Sequence, residues 1–167
     1  MSKALSSIAP VTQHPIVEVR ACNIAEIIDD PATPELISEY ERECSYPQLG
    51  PPSPQLGMYR QLESLGCAQS FAAYLDGRLC GFGFLIMGPT PHYGIKLATA
   101  ESLFVASAVR RNGLGAQLMR VMEAHAKEAA CVGIFYSTRV GSRGAKLLSS
   151  LSDEYHHTNQ IFLKRLA

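Results

Sequence analysis

The chain has 167 residues, 47% of them apolar and 18% charged, with fifteen basic side chains balanced by fifteen acidic ones. That length suits one ordinary domain with a sizeable core. The neutral balance excludes a protein-wide field drawing the chain onto nucleic acid or a membrane surface, so any anion site must be local.

Residues 1–14 read as a flexible N-terminal tail without the continuous apolar core of a signal peptide. Residues 15–167 read as a single domain. No segment approaches the ~18 consecutive apolar residues of a membrane span. The five cysteines (22, 44, 67, 80 and 131) are scattered, odd in number and lack a CxxC pair. They imply free thiols in a reducing, cytoplasmic setting rather than a disulfide framework. Cys80 and Cys131 sit in apolar runs and read as core.

"PIVEVRAC" (15–22) alternates as a short strand, and "TPELISEYEREC" (33–44) is a helix with Thr33 as cap and Pro34 at its first helical position. After the Pro/Gly-rich loop of "QLGPPSPQLGMYRQLESLG" (48–66), a second helix is expected from near Ser53, with Leu56, Tyr59, Leu62 and Leu65 at helical spacing. "SFAAYLDGRLCGFGFLIM" (70–87) holds two apolar runs around Asp76-Gly77, a hairpin signal. "KLATAESLFVAS" (96–107) is a further strand. A helix with Leu114, Leu118, Val121, Met122 and His125 on one stripe follows it. "VGIFYST" (132–138) is a strand, "SRGAKLLSSL" (142–151) a short helix and "NQIFLKRL" (159–166) a closing strand. All ten prolines lie at or before Pro91, so long regular elements belong to the second half. The order β-α-α-β-β-β-α-β-α-β predicts a mixed sheet, antiparallel first and then with one parallel β-α-β pair, flanked by helices.

"SAVRRNGLGAQL" (107–118) places two glycines and two arginines between a strand and a helix. The first amides of that helix lack intrahelical acceptors, and the helix dipole makes the same place attractive to an anion. Gly113 and Gly115 allow close backbone approach, and Arg110 and Arg111 add charge. The third glycine of a dinucleotide fingerprint would fall on Leu118, and no GK[ST] is present, so neither a Rossmann site nor a nucleotide-hydrolysing P-loop fits.

"ESLFVASAVRRNGLGAQLM" (101–119) resembles the acyl-coenzyme A signature of the GNAT-type N-acyltransferases. The family motif [Q/R]xxGx[G/A] reads here Arg110-Arg111-Asn112-Gly113-Leu114-Gly115, and "SLFVAS" matches the preceding strand except for Ser107, where proline is common. The element order agrees over residues 15–167. The resemblance implies a GNAT-like mixed sheet, mostly antiparallel with a parallel pair at the cofactor site, and helices on both faces. It implies acetyl-CoA as cosubstrate, its pyrophosphate held by Arg111, Asn112, Gly113, Leu114, Gly115 and Ala116 with Arg110 beside them. Pantetheine would run along Phe104, Val105 and Ser107, with "FYST" (135–138) as the opposite wall.

Transfer of an acetyl group to an amine needs the amine deprotonated, the carbonyl oxygen held and the thiolate protonated. Glu101 is the candidate base, its other reading being a solvent-facing strand carboxylate; Leu103 and Val105 are expected on its face. The amide around Val105 is the candidate oxyanion donor. Many family members place an acid tyrosine after Asn-x-x-Ala; here those positions read Ser142-Arg143-Gly144-Ala145 and Ser149. Ser142 remains a cofactor contact, and Tyr155 is the substitute acid, with Tyr136, His92 and Tyr93 as further candidates. No metal site is expected. Many members dimerise through their last strands, so "NQIFLKRLA" is the edge a homodimer would use. The acceptor, a primary amine of a small molecule or a protein, is expected to meet the loop 44–59, where Tyr46, Met58 and Tyr59 suggest an apolar wall. A CoA-binding module with weak or no transfer is the alternative, and an unrelated α/β protein with another phosphate ligand the third reading.

Overall fold

The computed structural model describes residues 15–151 and 153–166. The tail expected over 1–14 lies outside the described residues. Chain order is β1 (Val17–Cys22), α1 (Ile24–Ile28), α2 (Thr33–Cys44), α3 (Leu56–Ser64), β2 (Ala68–Leu75), β3 (Arg78–Thr90), β4 (Ile95–Val105), α4 (Leu114–Glu128), β5 (Ile134–Tyr136) and α5 (Arg143–Ser150). The five strands form one sheet in the order β1-β2-β3-β4-β5. The first three pairings are antiparallel and β4–β5 is parallel. The mixed sheet expected from the sequence is therefore the sheet observed.

The β2–β3 hairpin turns at Asp76-Gly77, both with positive φ (50° and 77°), the handedness that suits the twist of a two-residue hairpin loop. The same turn holds β1, because the Asp76 amide donates to the Ile16 carbonyl and Asp76 Oδ1 accepts from the Ile16 amide, both at 2.8 Å.

Helices cover both faces. On one, Leu114, Leu118, Met122 and Ala126 of α4 pack on Phe71, Leu85, Ala98 and Ala100. On the other, Ile27 of α1 and Leu36 of α2 pack on Ala72, Leu79, Phe82 and Phe104, and Tyr40 sets its ring edge-on to Phe82 and Phe104 at 5.3 and 5.5 Å. Each such large apolar side chain contributes about 1.5–3 kcal/mol on burial. Cys22 and Cys80 are buried among them, and all five thiols are free.

Three expectations are corrected. α1 was not anticipated; Asn23 starts it with a reciprocal capping box, Asn23 Oδ1 accepting from the Glu26 amide and Glu26 Oε1 from the Asn23 amide. Glu63 of α3 then accepts from the Ile24 amide and from Ser70, fixing α1 to β2. α3 starts at Leu56 rather than near Ser53, with Gln55 as its N-cap residue and Ser53 and Pro54 left in the loop. Residues 159–166 form no strand, and Ile161, Phe162 and Leu166 are exposed. β5, the neighbour such a strand would need, is three residues long and offers too short a ladder.

Gly81 fixes the spacing of β3 and β4. A Cβ there would lie 2.8 Å from the Phe104 carbonyl oxygen, 3.1 Å from Val105 Cγ2 and 3.3 Å from Ala73 Cβ. Gly81→Ala should therefore lower unfolding stability by about 1–3 kcal/mol, as overpacking does, measured by urea titration.

Candidate active site

β4 is bound on both edges for only part of its length. β5 pairs with it at Ala98, Thr99 and Ala100 and stops at Tyr136. β3 pairs with it to Val105. From Glu101 to Val105 the outer edge of β4 therefore has no strand beside it. The Ala106 amide donates to the Cys80 carbonyl of β3 at 2.8 Å. In an antiparallel ladder, the backbone groups of Leu103 and Val105 then point the other way, onto the open edge. Phe104 faces β3 with its backbone, and its ring meets Tyr40, Phe82 and the Arg110 guanidinium. Leu103, like Val105, thus turns its backbone amide to the open edge, whereas that of Phe104 faces β3.

Glu101 occupies an irregularity. Leu85 pairs with Ala100 and Phe84 with Ser102, so Glu101 is an extra residue, a β-bulge. The bulge shifts the alternation by one: Ala98 and Ala100 lie on the α4 face, and so do Leu103 and Val105. Glu101 was expected to share the face of Leu103 and Val105; instead it lines a cavity on the α1/α2 face together with Ser102. There Tyr59 donates its hydroxyl to Glu101 Oε1 at 3.3 Å. Burial first, then the Glu101 charge, pushes the Tyr59 phenol up to about 12, so it stays a donor at neutral pH.

Beyond Val105 the chain forms a short 3-10 turn, Ser107–Asn112, and enters α4 through Gly113, whose φ of 74° is left-handed. No side chain caps this helix. The first amide of the region to find a helical acceptor is that of Gln117, on the Gly113 carbonyl. Leu114, Gly115 and Ala116 therefore present free amides at the positive end of a 15-residue helix. A Cβ on Gly113 would meet nothing within 4 Å, and one on Gly115 only Val105 Cγ2 at 3.9 Å, so there is open space above both.

The two arginines differ. Arg110 donates Nε to the Val105 carbonyl at 2.7 Å and pairs with Glu43 at 2.8 Å and Glu39 at 3.7 Å. It ties the loop to α2. Arg111 is exposed and makes no ion pair among the described residues, leaving its charge available. The Ser107 amide donates to Glu39 Oε1 at 2.8 Å. Hydrogen bonding from Ser107, with Arg110 nearby, holds Glu39 below the usual carboxylate range.

The model of the acetyltransferase (GNAT) family matches residues 33–147. The chain belongs to that family. Solved structures share its fold. A ribosomal-protein-alanine N-acetyltransferase from Brucella melitensis biovar Abortus 2308 superposes with a TM-score of 0.67 at 19% identity, over 91% of this chain and 100% of that one. Glucosamine-6-phosphate N-acetyltransferase from Arabidopsis thaliana does so with 0.67 at 14% identity, over 91% and 99%. Aminoglycoside N-acetyltransferase AAC(6')-Iy, in complex with CoA, gives 0.62 at 17%, over 93% and 98%. No curated protein matches the chain by sequence.

The remaining candidates are placed away from the open edge or already engaged. Ser142 Oγ caps α5, accepting from the Ala145 amide at 3.1 Å. His92 and Tyr93 form the turn joining β3 to β4, at the opposite end of β4 from Val105. Ser149 is exposed on α5. His156 and His157 are exposed, and no cluster among the described residues is arranged to hold a metal ion. Of the expected acceptor wall, Tyr59 lines the cavity, whereas Tyr46 and Met58 are outside its lining and exposed.

Tyr155 donates its hydroxyl to Glu123 Oε1 at 2.5 Å, and Tyr136 donates to the same oxygen at 3.0 Å. The pair binds the chain after α5 to α4 and β5. Burial, with the Glu123 charge behind it, pushes both phenols above the ordinary tyrosine range. Their folded values exceed the unfolded one, so this contribution to stability is intact below pH ~10 and falls as pH rises past it. Urea midpoints from pH 8 to 11 should therefore decline for the wild type and decline less steeply for Tyr155→Phe.

Proposed function

We propose that the protein is an acetyl-CoA-dependent N-acetyltransferase acting on a primary amine. One observation carries this reading: an open strand edge, Glu101–Val105, leads directly into the uncapped N-terminus of α4. A pantetheine arm needs backbone partners along an edge, and a pyrophosphate needs converging amides, so the residues present fit acetyl-CoA. Leu103 would pair with the arm, since the Val105 carbonyl is taken by Arg110 Nε. The amides of Asn112, Gly113, Leu114, Gly115 and Ala116, with the Arg111 charge, would hold the pyrophosphate. Acetyl-CoA supplies a thioester carbonyl that accepts the amine nitrogen, and its sulfur leaves as the thiol.

Glu101 is the base in this reading. An ammonium with a pKa near ~10.4 has no free electron pair at neutral pH, and Glu101 takes its proton, directly or through a water. Tyr59 orients that carboxylate through its hydrogen bond. The Val105 amide, on the open edge, holds the charge developing on the carbonyl oxygen. Tyr155 keeps its proton on Glu123, so thiol protonation is assigned to solvent rather than to Tyr155. The five free cysteines fit a cytoplasmic setting, and the exposed Ile161, Phe162 and Leu166 suit self-association into a homodimer.

Two variants test the halves of this mechanism. Gly115→Val adds bulk above the free amides while its Cβ meets only an ordinary contact. Calorimetry should show acetyl-CoA binding weakened at least tenfold with the melting temperature retained; unchanged binding would remove the phosphate cradle. Glu101→Gln should lower kcat by about 10²–10⁴-fold and flatten the acid limb of the pH profile, with acetyl-CoA affinity unaltered. A wild-type pH profile would take Glu101 out of the base role.

A further inference from the structure

The cavity at Glu101 identifies a class of acceptor. It measures about 280 Å³ and lies between α1, α2, the 50s loop and α3, floored by β3 and β4. Its walls are apolar: Ile27, Ile28, Ile37, Pro54, Leu56 and Phe84 among them. The Tyr59 ring stands edge-on to Phe84 at 4.7 Å, giving one side an aromatic surface. Its charged groups are two carboxylates, Glu41 from α2 and Glu101 from the bulge. No lysine, arginine or histidine among the described residues lines it.

This combination selects twice. Two carboxylates and no cation favour an ammonium over a neutral or anionic group, and they repel a phosphate. Apolar walls reward an apolar substituent, whereas the several hydroxyls of a sugar would outnumber the polar side chains present, Glu41, Glu101, Tyr40, Tyr59 and Ser102, and would lose water against isoleucine and proline. A polyamine would bury one ammonium beside Glu101 and drag further charges along isoleucine and proline. We propose that the acceptor is a small primary amine bearing one aromatic or branched aliphatic group. Its ammonium is directed to Glu101 and its apolar part to the isoleucine wall of α1 and α2. This deepens the transferase reading and rests on it for the reaction, but the binding preference stands on the cavity itself.

The test is calorimetric titration of the full chain with 2-phenylethylamine, ethanolamine, spermidine, glucosamine 6-phosphate and an alanine-initiated peptide, each with and without acetyl-CoA, followed by thiol release. The expected result is 2-phenylethylamine binding at least tenfold tighter than the others, in line with about 10–200-fold per apolar group in a fitted pocket. Ile28→Lys, half-buried on the cavity wall, should abolish that preference. Glu41→Gln, a milder change, should weaken 2-phenylethylamine without weakening 2-phenylethanol. Equal or tighter binding of ethanolamine, spermidine, the sugar phosphate or the peptide would overturn the proposal, whether or not thiol is released. So would a folded Ile28→Lys protein with unchanged preference. Preferential binding of 2-phenylethylamine without thiol release would instead sink the transferase reading and leave the apolar-amine site standing.

Discussion

β4 and β5 run side by side for three residue pairs and then part. The site depends on that parting, because an unpaired strand edge leaves amides and carbonyls free for solvent or for an extended ligand. Here the open edge spans Glu101–Val105 and is continued by a tight turn into α4. The turn matters as much as the edge. Gly113 reverses the backbone at a left-handed φ, so that the helix starts facing the same opening. An extended ligand with an anionic end meets one continuous set of donors.

The opening is held by α2. Its carboxylates Glu39 and Glu43 take the Ser107 amide and the Arg110 guanidinium, and the Glu43 carbonyl accepts from Arg139 at 2.7 Å. One helix end thus grips both the segment leaving β4 and the segment leaving β5. The grip uses Arg110, the first arginine of the motif, whereas Arg111 makes no ion pair among the described residues. The Arg110 pair is only about one-fifth exposed on the arginine side. Removing one partner there leaves a partly buried charge, which is a larger penalty than losing a surface ion pair.

Features fixed by local chemistry were legible in the sequence. Asp76-Gly77 can turn a hairpin by its own φ preferences, and Gly113 allows the left-handed turn by which the chain enters α4. α1 was legible too, in the capping box of Asn23 and Glu26, but five residues carry too little periodicity to stand out. The bulge left a trace: small or apolar residues at Ala98 and Ala100, then Leu103 and Val105, a shift of one that marks Glu101 as the extra residue. Assuming strict alternation put Glu101 on the wrong face. The C-terminal apolar run misled for a different reason. A strand exists only through its partner, and nothing in "NQIFLKRL" tells that β5 is three residues long. The cavity was beyond reach because its walls, from Ile24 to Tyr59, close over a floor supplied by β3 and β4 much later in the chain, and Tyr59 alone of the expected wall residues lines it.

The bulge links the two halves of the site. Without it, Glu101 would lie on the face opposite Ala98 and Ala100, but Leu103 and Val105 would share its side and leave the α4 core. With it, Leu103 and Val105 keep packing under α4 while their amides face the open edge, and Glu101, two positions before Leu103, lines the apolar cavity on the other face. A single inserted residue therefore sets an acid, a strand edge and a hydrophobic wall within one residue's reach of each other. In the reaction proposed above, the ammonium would meet Glu101 beside the strand edge along which the thioester would lie. Deleting Glu101 would restore regular pairing with every other side chain on its present face, and would remove the carboxylate alone.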